Sequence, residues 1–426
     1  MKPIIKNPKK QKPMSRDLKK FLVYSLFLGI IIIPMTGFPG KTFEAARAFG
    51  TWGVFCAALG LGLAAKYFRN SGPGQALSDL AAPFKEKIAQ RLGRSSKKAR
   101  VAAVLIPAAL FPAFADNYMV DVGTTCLVYI VLGLGLNIVV GLAGLLDLGY
   151  IAFYAVGAYS YSLLNLSFGL PFWACLPIGI VLGGLCGAII GYPTLKMRGD
   201  YLAIVTMGFG EIIRLVLNNW DGLTKGPNGL LGMAKPTIFL PRFSENGFEW
   251  IVWPLKSPAA LYVLILIIAL LTVIGVSRLN QSRIGRAWVA IREDETAAEL
   301  SGVPTTWMKL LAYVMGAAFA SVAGAFFAAK LSYTNPNFFI FMESCIALCI
   351  VVLGGLGSVS GIILAAVLLT AVPEMFRGLE NYRMFAFGLA MAVMMVLRPA
   401  GLIPASRRRG AEPFLEPDTH TARPRD

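Results

Sequence analysis

The chain has 426 residues, of which 56% are hydrophobic and only 15% charged, and its mean hydropathy is positive. A soluble core of this size cannot hide that much apolar surface, so the composition excludes an ordinary globular domain and reads as a polytopic membrane protein. The net charge of +17 would suit nucleic acid, but the basic residues stand in short blocks beside apolar runs, where they set orientation against the cytoplasmic leaflet. No nucleic-acid partner is expected.

In chain order, the first apolar run is Phe21–Phe38, behind Lys2, Lys6, Lys9, Lys10, Lys12, Arg16, Lys19 and Lys20. It resembles a signal peptide but has no small-residue cleavage site, and a second span at Gly50–Phe68 follows, so it is read as a retained helix. The basic stretch Lys66–Arg100 is expected on the cytoplasmic side. Further apolar segments follow at Val101–Ala115, Val122–Val140, Leu148–Leu166, Phe172–Tyr192 and Tyr201–Leu217. A mixed stretch, Asn218–Ser257, is expected as an outer excursion, with Gly226–Gly229 as a turn.

The second half continues with Pro258–Val276, Lys309–Ala329, Glu343–Leu356, Ile362–Phe376 and Met384–Leu397, and Glu343–Leu356 is short enough to be a half-helix. The arginines between Arg278 and Arg292, and Arg398, Arg407, Arg408 and Arg409 at the tail, put both termini in the cytoplasm by the positive-inside rule. The expected fold is an all-α polytopic membrane protein with about ten to twelve transmembrane or half-membrane helices and a broken-helix inverted-repeat core.

Chemistry-bearing residues are few. The six cysteines all lie in apolar segments and read as packing residues, so neither a disulfide framework nor a metal site is expected. Gly40–Thr42 spells the end of a phosphate loop, but Met35 stands where the first glycine belongs and a membrane span precedes it; no nucleotide site or other cofactor is expected. The one histidine, His420, sits in a polar tail, which argues against a hydrolase.

Three stretches stand out. Arg283–Leu310 carries eight charged side chains between apolar segments. Within it Ala287, Ile291, Ala298, Leu300 and Val303 can share an apolar surface while Arg292, Glu293, Asp294, Glu295 and Glu299 stay polar, and Gly302 and Pro304 stop the helix. That pattern predicts a short amphipathic docking helix; a solvated connector is the blander reading.

The second feature is glycine-dense backbone at Gly133–Tyr150 and Val351–Gly361, which suits either close helix packing or broken helices lining a cavity. Asp147, Ser358 and Ser360 favour the cavity, and the two stretches look weakly alike, as halves of an internal repeat would. The third is Gly199–Asn219, where Glu211 and Arg214 lie one turn apart in an apolar helix. Unpaired, each would cost about 2.5–3.5 kcal/mol at a membrane centre, so they are expected to pair or to face a cavity.

The stretches Gly133–Tyr159, Arg198–Asn219, Lys225–Leu230, Gly285–Val303, Ile350–Gly361 and Arg398–Pro404, in this order, resemble the M-type permease family of high-affinity branched-chain amino acid ABC importers. The resemblance implies a non-enzymatic transport subunit of a bacterial inner membrane. Its expected partners are a second homologous permease, two cytoplasmic ABC ATPase subunits, a periplasmic substrate-binding protein, the amino acid substrate (leucine, isoleucine or valine) and membrane lipid. It also implies a division into a two-span N-terminal extension (1–100), a permease core (101–404) with a cytoplasmic coupling helix near 285–304, and a polar tail (405–426).

Asp294–Val303 resembles the coupling segment of importer permeases, which points to Arg286, Arg292, Glu293, Asp294, Glu295, Ala298 and Gly302 as ATPase-coupling residues. Candidate translocation-path residues are Asp147, Gly149, Tyr150, Thr206, Glu211, Arg214, Glu343, Gly354, Gly355 and Gly357. A secondary amino acid transporter, and an importer permease for another small amide or amino acid, are the alternatives. The scarcity of intramembrane acids suited to ion coupling counts against the first, and a membrane-embedded enzyme would lack a His, Ser or Cys constellation.

Overall fold

Small residues set how closely the helices of this protein approach one another. The computed structural model describes residues 107–194, 197, 200–244, 247–255, 257–375, 388 and 401–403. After a helical segment at 107–114, the elements are α1 (Asn117–Leu136, continued by a π-helical stretch Asn137–Leu142), α2 (Ile151–Phe168), α3 (Phe172–Thr194) and α4 (Asp200–Asn219). A turn at Asp221–Thr224 and a 3-10 turn at Gly226–Asn228 lead to β1 (Leu230–Leu231), β2 (Thr237–Ser244) and β3 (Gly247–Pro254). Then come α5 (Pro258–Gln281), α6 (Arg283–Glu293), α7 (Glu295–Leu300), α8 (Thr305–Leu331), β4 (Tyr333–Thr334), a 3-10 turn (Pro336–Phe338), α9 (Phe341–Gly354) and α10 (Val359–Met375).

Among the described residues, six helical stretches are long and apolar enough to cross a membrane: Asn117–Leu142, Phe172–Thr194, Tyr201–Asn219, Pro258–Gln281, Thr305–Leu331 and Pro336–Gly354. The two expected N-terminal spans, the last expected span and both termini lie outside the described residues.

Helix α8 is the centre of the packing, between α2 and α3. Its Ala312, Ala317, Ala320, Ala323, Ala328 and Ala329 are all fully buried, and residues this small let neighbouring backbones come close. The contacts also give direction. Tyr150 donates its hydroxyl proton to the Gly316 carbonyl at 3.0 Å and Ser321 to the Phe153 carbonyl at 3.1 Å, so α2 runs parallel to α8 and begins partway along it. At a rise of about 1.5 Å per residue, that starting point is roughly 16 Å from Thr305.

Two ends follow from these directions. Helix α1 runs from the end marked by Lys330, whose ammonium pairs with Asp121 at 2.7 Å, to the end marked by Arg292, whose guanidinium reaches the Gly141 carbonyl. Residues 143–150 turn back into the protein, and α2 returns toward the Lys330 end from a mid-depth start. Helix α9 also starts at mid-depth, because Tyr129 of α1 reaches Glu343 and Ser344 meets the first turn of α2; it runs the other way, to the Arg292 end. The fourteen-residue α9 fits the expected half-helix, and α2, eighteen residues long, starts beside it and runs the other way.

The repeat is inverted, but its partners differ from the expected ones. The long helix, break and shorter helix α1–α2 correspond to α8–α9, with opposite direction. The Val351–Gly361 stretch is instead the turn between α9 and α10, packed on α1: the Gly357 N–H donates to Asn137 Oδ1 at 2.8 Å. Both stretches are glycine-rich because backbones approach closely there, so composition alone made them look like copies.

The Asn218–Ser257 excursion lies at the Lys330 end, where β1 pairs with β4. It contains a hairpin that the sequence reading did not anticipate, β2 and β3, paired antiparallel from Thr237↔Pro254 to Ser244↔Gly247.

Candidate functional site

Two regions gather the candidate residues. The first is the Arg292 end. Ser282 caps α6, its Oγ accepting from the Gly285 N–H at 3.2 Å, and the helix then buries Trp288 and Ile291. The Trp288 indole, fully buried, donates to the Met308 carbonyl of α8 at 2.6 Å.

The single helix expected near 285–304 is two helices. Asp294 is extended (φ −155°, ψ 111°) and its carboxylate accepts from the Ala297 N–H at 3.0 Å, capping α7. A short acceptor side chain competes with the helical hydrogen bonds at that point, which is why the helix restarts there. Ala298 is buried as the amphipathic pattern required, but Leu300 is 85% exposed and does not share the apolar surface. At the C-terminus of α7 the Val303 N–H bonds the Ala298 carbonyl, and Gly302 takes φ +83°.

Of the coupling candidates, Arg286 donates to the Gln281 carbonyl at 3.3 Å, and Glu295 pairs at 2.5 Å with Lys309, a nearly buried lysine on α8. Glu293 also makes an interaction. Arg292 reaches furthest. Its guanidinium Nη1 donates to the carbonyl of Gly141, in the last turn of the π-helical stretch, and its aliphatic stem lies against Gly144. A π-helix leaves its final carbonyls poorly matched, and a cation there meets the negative end of the helix.

The second region is the mid-depth junction where α2 and α9 begin. Asp147 is buried; its Oδ1 accepts from the Gly149 N–H at 2.9 Å, and its Oδ2 has no hydrogen-bond partner among the described residues. Thr206 Oγ1 accepts from the Leu148 N–H at 3.1 Å. Gly149 presses on the Thr206 backbone, where any Cβ would collide with the carbonyl. The Ile151 N–H, an orphan of the first turn of α2, donates to Ser344 Oγ of α9 at 3.0 Å. Thus Asp147, Gly149, Tyr150 and Thr206 come together, as a packed break.

The remaining path candidates sit apart. Glu211 and Arg214 pair on α4, Arg214 Nε bonding both carboxylate oxygens at 3.0 Å, on a face that is 44% exposed at Glu211 and 23% at Arg214. Glu343 lines a cavity with Tyr129 and Lys330. Gly354, Gly355 and Gly357 are buried in the α9–α10 turn, with positive φ at Gly355 and Gly357. Sequence reasoning missed Asn137, Trp288, Lys330 and Ser344. Lys330, the lone cation at the end of an apolar run, was the one with a readable signal.

Crossing helices interrupted by re-entrant breaks, with a charged helical pair at one end, define an integral membrane protein of the transporter type. Residues 118–397 match the family described as the permease component of branched-chain amino acid transport systems. The chain belongs to this family.

The chain is 45% identical over 316 residues to LivM, the high-affinity branched-chain amino acid transport permease protein of Salmonella typhimurium, spanning 72% of this chain and 74% of that one. To LivM of Escherichia coli K12 it is 44% identical over 322 residues, 73% and 76% of the two chains. To the permease protein LivH of Salmonella typhimurium it is 27% identical over 311 residues, 67% and 92%. No solved structure matches the chain.

Proposed function

We propose that this chain is one permease half of an ABC importer that moves leucine, isoleucine and valine across a bacterial inner membrane. A second homologous permease, two cytoplasmic ATPase subunits and a periplasmic binding protein complete the machine. In this reading the Arg292 end and both termini face the cytoplasm, the Lys330 end faces the periplasm, and the subunit itself performs no chemistry.

The observation that carries the reading is the link from Arg292 to Gly141. A helix pair that leaves Leu300 85% exposed, beside the start of α8 with its 71% exposed Trp307, is tied through Arg292 to the end of α1, whose re-entrant break leads to α2. Movement of a docked ATPase would therefore act on the break first, because packed elements shift as units. The Glu295–Lys309 pair fixes α7 to α8 and passes the same movement to the central helix.

The test is copurification of the tagged chain with identification of its partners, followed by uptake of the three amino acids into vesicles holding the whole complex. Recovery of an ATPase and a second permease, with ATP-dependent uptake, supports the reading. Uptake driven by an ion gradient without any ATPase would overturn it in favour of a secondary transporter.

A further inference from the structure

A cavity of about 180 Å³ lies within this one subunit, among α1, α2, α8 and the start of α9, and it carries an opposite charge at two points on its wall. On α1 it is lined by Thr125, Val128, Tyr129 and Leu132, residues spaced to share one helix face. Lys330 of α8 stands level with Thr125, its ammonium 3.5 Å from that hydroxyl and 2.7 Å from Asp121. Glu343 of α9 stands one turn deeper, its Oε2 accepting from the Tyr129 hydroxyl at 2.5 Å. The deeper wall is apolar.

We propose that this cavity binds the substrate amino acid inside the permease, with Glu343 receiving the α-ammonium, Lys330 the α-carboxylate, and Val128 and Leu132 the branched side chain. The inference rests on the transport reading above and adds a site within this chain. Three physical points carry it.

Both charges are pinned but not used up. A lysine ammonium has three donors, and Asp121 and Thr125 engage two of them; the Tyr129 hydroxyl engages Oε2 of Glu343, and Oε1 has no hydrogen-bond partner among the described residues. The residues they meet on α1, Thr125 and Tyr129, are one turn apart, about 6 Å along the helix axis, so the two opposite charges reach the cavity at successive levels, where one α-amino acid can meet both. The volume is also far beyond what one water needs, about 10–15 Å³ by the same measure, and matches a small apolar side chain with its charged head. Lys330 already has Asp121 as its ion-pair partner, whereas Glu343 meets only the neutral Tyr129 hydroxyl among the described residues, so the carboxylate is the buried charge left for a ligand ammonium to neutralise.

The experiment measures radiolabelled leucine binding to the assembled complex in lipid nanodiscs, without the binding protein, for the wild type and for Glu343→Gln, Lys330→Met and Leu132→Trp. Each variant is expected to weaken leucine binding at least tenfold while the complex still assembles. In wild type, leucine methyl ester, which lacks the carboxylate, and isocaproate, which lacks the ammonium, should compete poorly. Lys330→Met should no longer distinguish leucine from its methyl ester, and Glu343→Gln should no longer distinguish it from isocaproate; a structural defect would not produce these matched losses.

If wild type transports leucine but shows no saturable binding, or if both charge variants bind it as wild type does, the proposal is overturned while the transport reading stands. If a variant fails to assemble, the wild-type competition decides: methyl ester and isocaproate competing as well as leucine would overturn the site. If the complex transports none of the three amino acids yet binds leucine with the matched analogue pattern, the transport reading falls and the site stands.

Discussion

Arg292, near the end of α6, donates a hydrogen bond to the carbonyl of Gly141, 151 residues earlier, in the last turn of a π-helical stretch. Two segments far apart in the chain are thus joined at the point where the first long helix breaks. A charge-assisted hydrogen bond of this kind contributes about 1.5–3 kcal/mol.

The first prediction follows from that bond. Arg292→Ala should leave the complex assembled but lower ATP-driven uptake by about tenfold or more, because the link between α6 and the break is lost. Arg292→Lys should recover part of it, since an ammonium can still meet the carbonyl but without the planar fork. Uptake and ATPase rates in vesicles check this; an Arg292→Ala complex with wild-type uptake per ATP hydrolysed would remove Arg292 from the coupling path.

A second prediction concerns Ser344, which receives the Ile151 N–H where α2 and α9 begin. Ser344→Ala leaves a buried donor unpaired at a cost of about 1–3 kcal/mol, and thermal unfolding of the purified complex should shift down accordingly. An unchanged midpoint would mean that the N–H finds another acceptor and that the two helices are not joined there.

Much of this arrangement was legible in the sequence, and the remainder was hidden for definable reasons. Glu211 and Arg214 were readable as a pair because three residues on a helix make neighbours, and Gly302 as a terminator because glycine before Val-Pro suits a left-handed cap. The half-helix α9 was readable from its length. The junction of Ile151 with Ser344 was not, since local periodicity carries no information about residues 193 apart. The Val351–Gly361 stretch misled because glycine marks close approach without saying to what. The Asp294 break could have been found: Asp followed by Glu-Thr-Ala is an N-cap pattern inside what looked like one helix.

The third prediction tests the α4 pair by a double-mutant cycle. Glu211→Gln and Arg214→Gln should each reduce transport or complex stability, and the double variant should be less impaired than the sum, with a coupling of about 0.5–3 kcal/mol. The geometry, with Nε 3.0 Å from both oxygens and Nη2 also donating to Oε1, supports mutual compensation. Additive losses would show that Glu211 acts on its own along the path.

The fourth prediction fixes the orientation. Glu299 is exposed on α7, so a cysteine placed there should react with a membrane-impermeant maleimide only from the cytoplasmic face. Labelling in intact cells from the periplasm would invert the proposed topology, and with it the assignment of the Lys330 end to the substrate's entry side.

The last prediction separates the two things Gly302 does. Its φ of +83° is a left-handed conformation that any side chain adopts at a cost of about 1–2 kcal/mol, and no atom lies within 4 Å of where a Cβ would stand. Within this chain, therefore, alanine and leucine should strain the backbone alike and neither should clash. Two residues beyond the exposed Leu300, however, a leucine would project from the surface proposed to meet the ATPase, whereas an alanine scarcely would. Gly302→Ala and Gly302→Leu should lower thermal stability by similar amounts, but only Gly302→Leu should uncouple ATP hydrolysis from uptake in vesicles holding all the subunits. Equal uptake per ATP in the two variants would mean that α7 ends in a solvated connector and that no partner surface closes over Gly302.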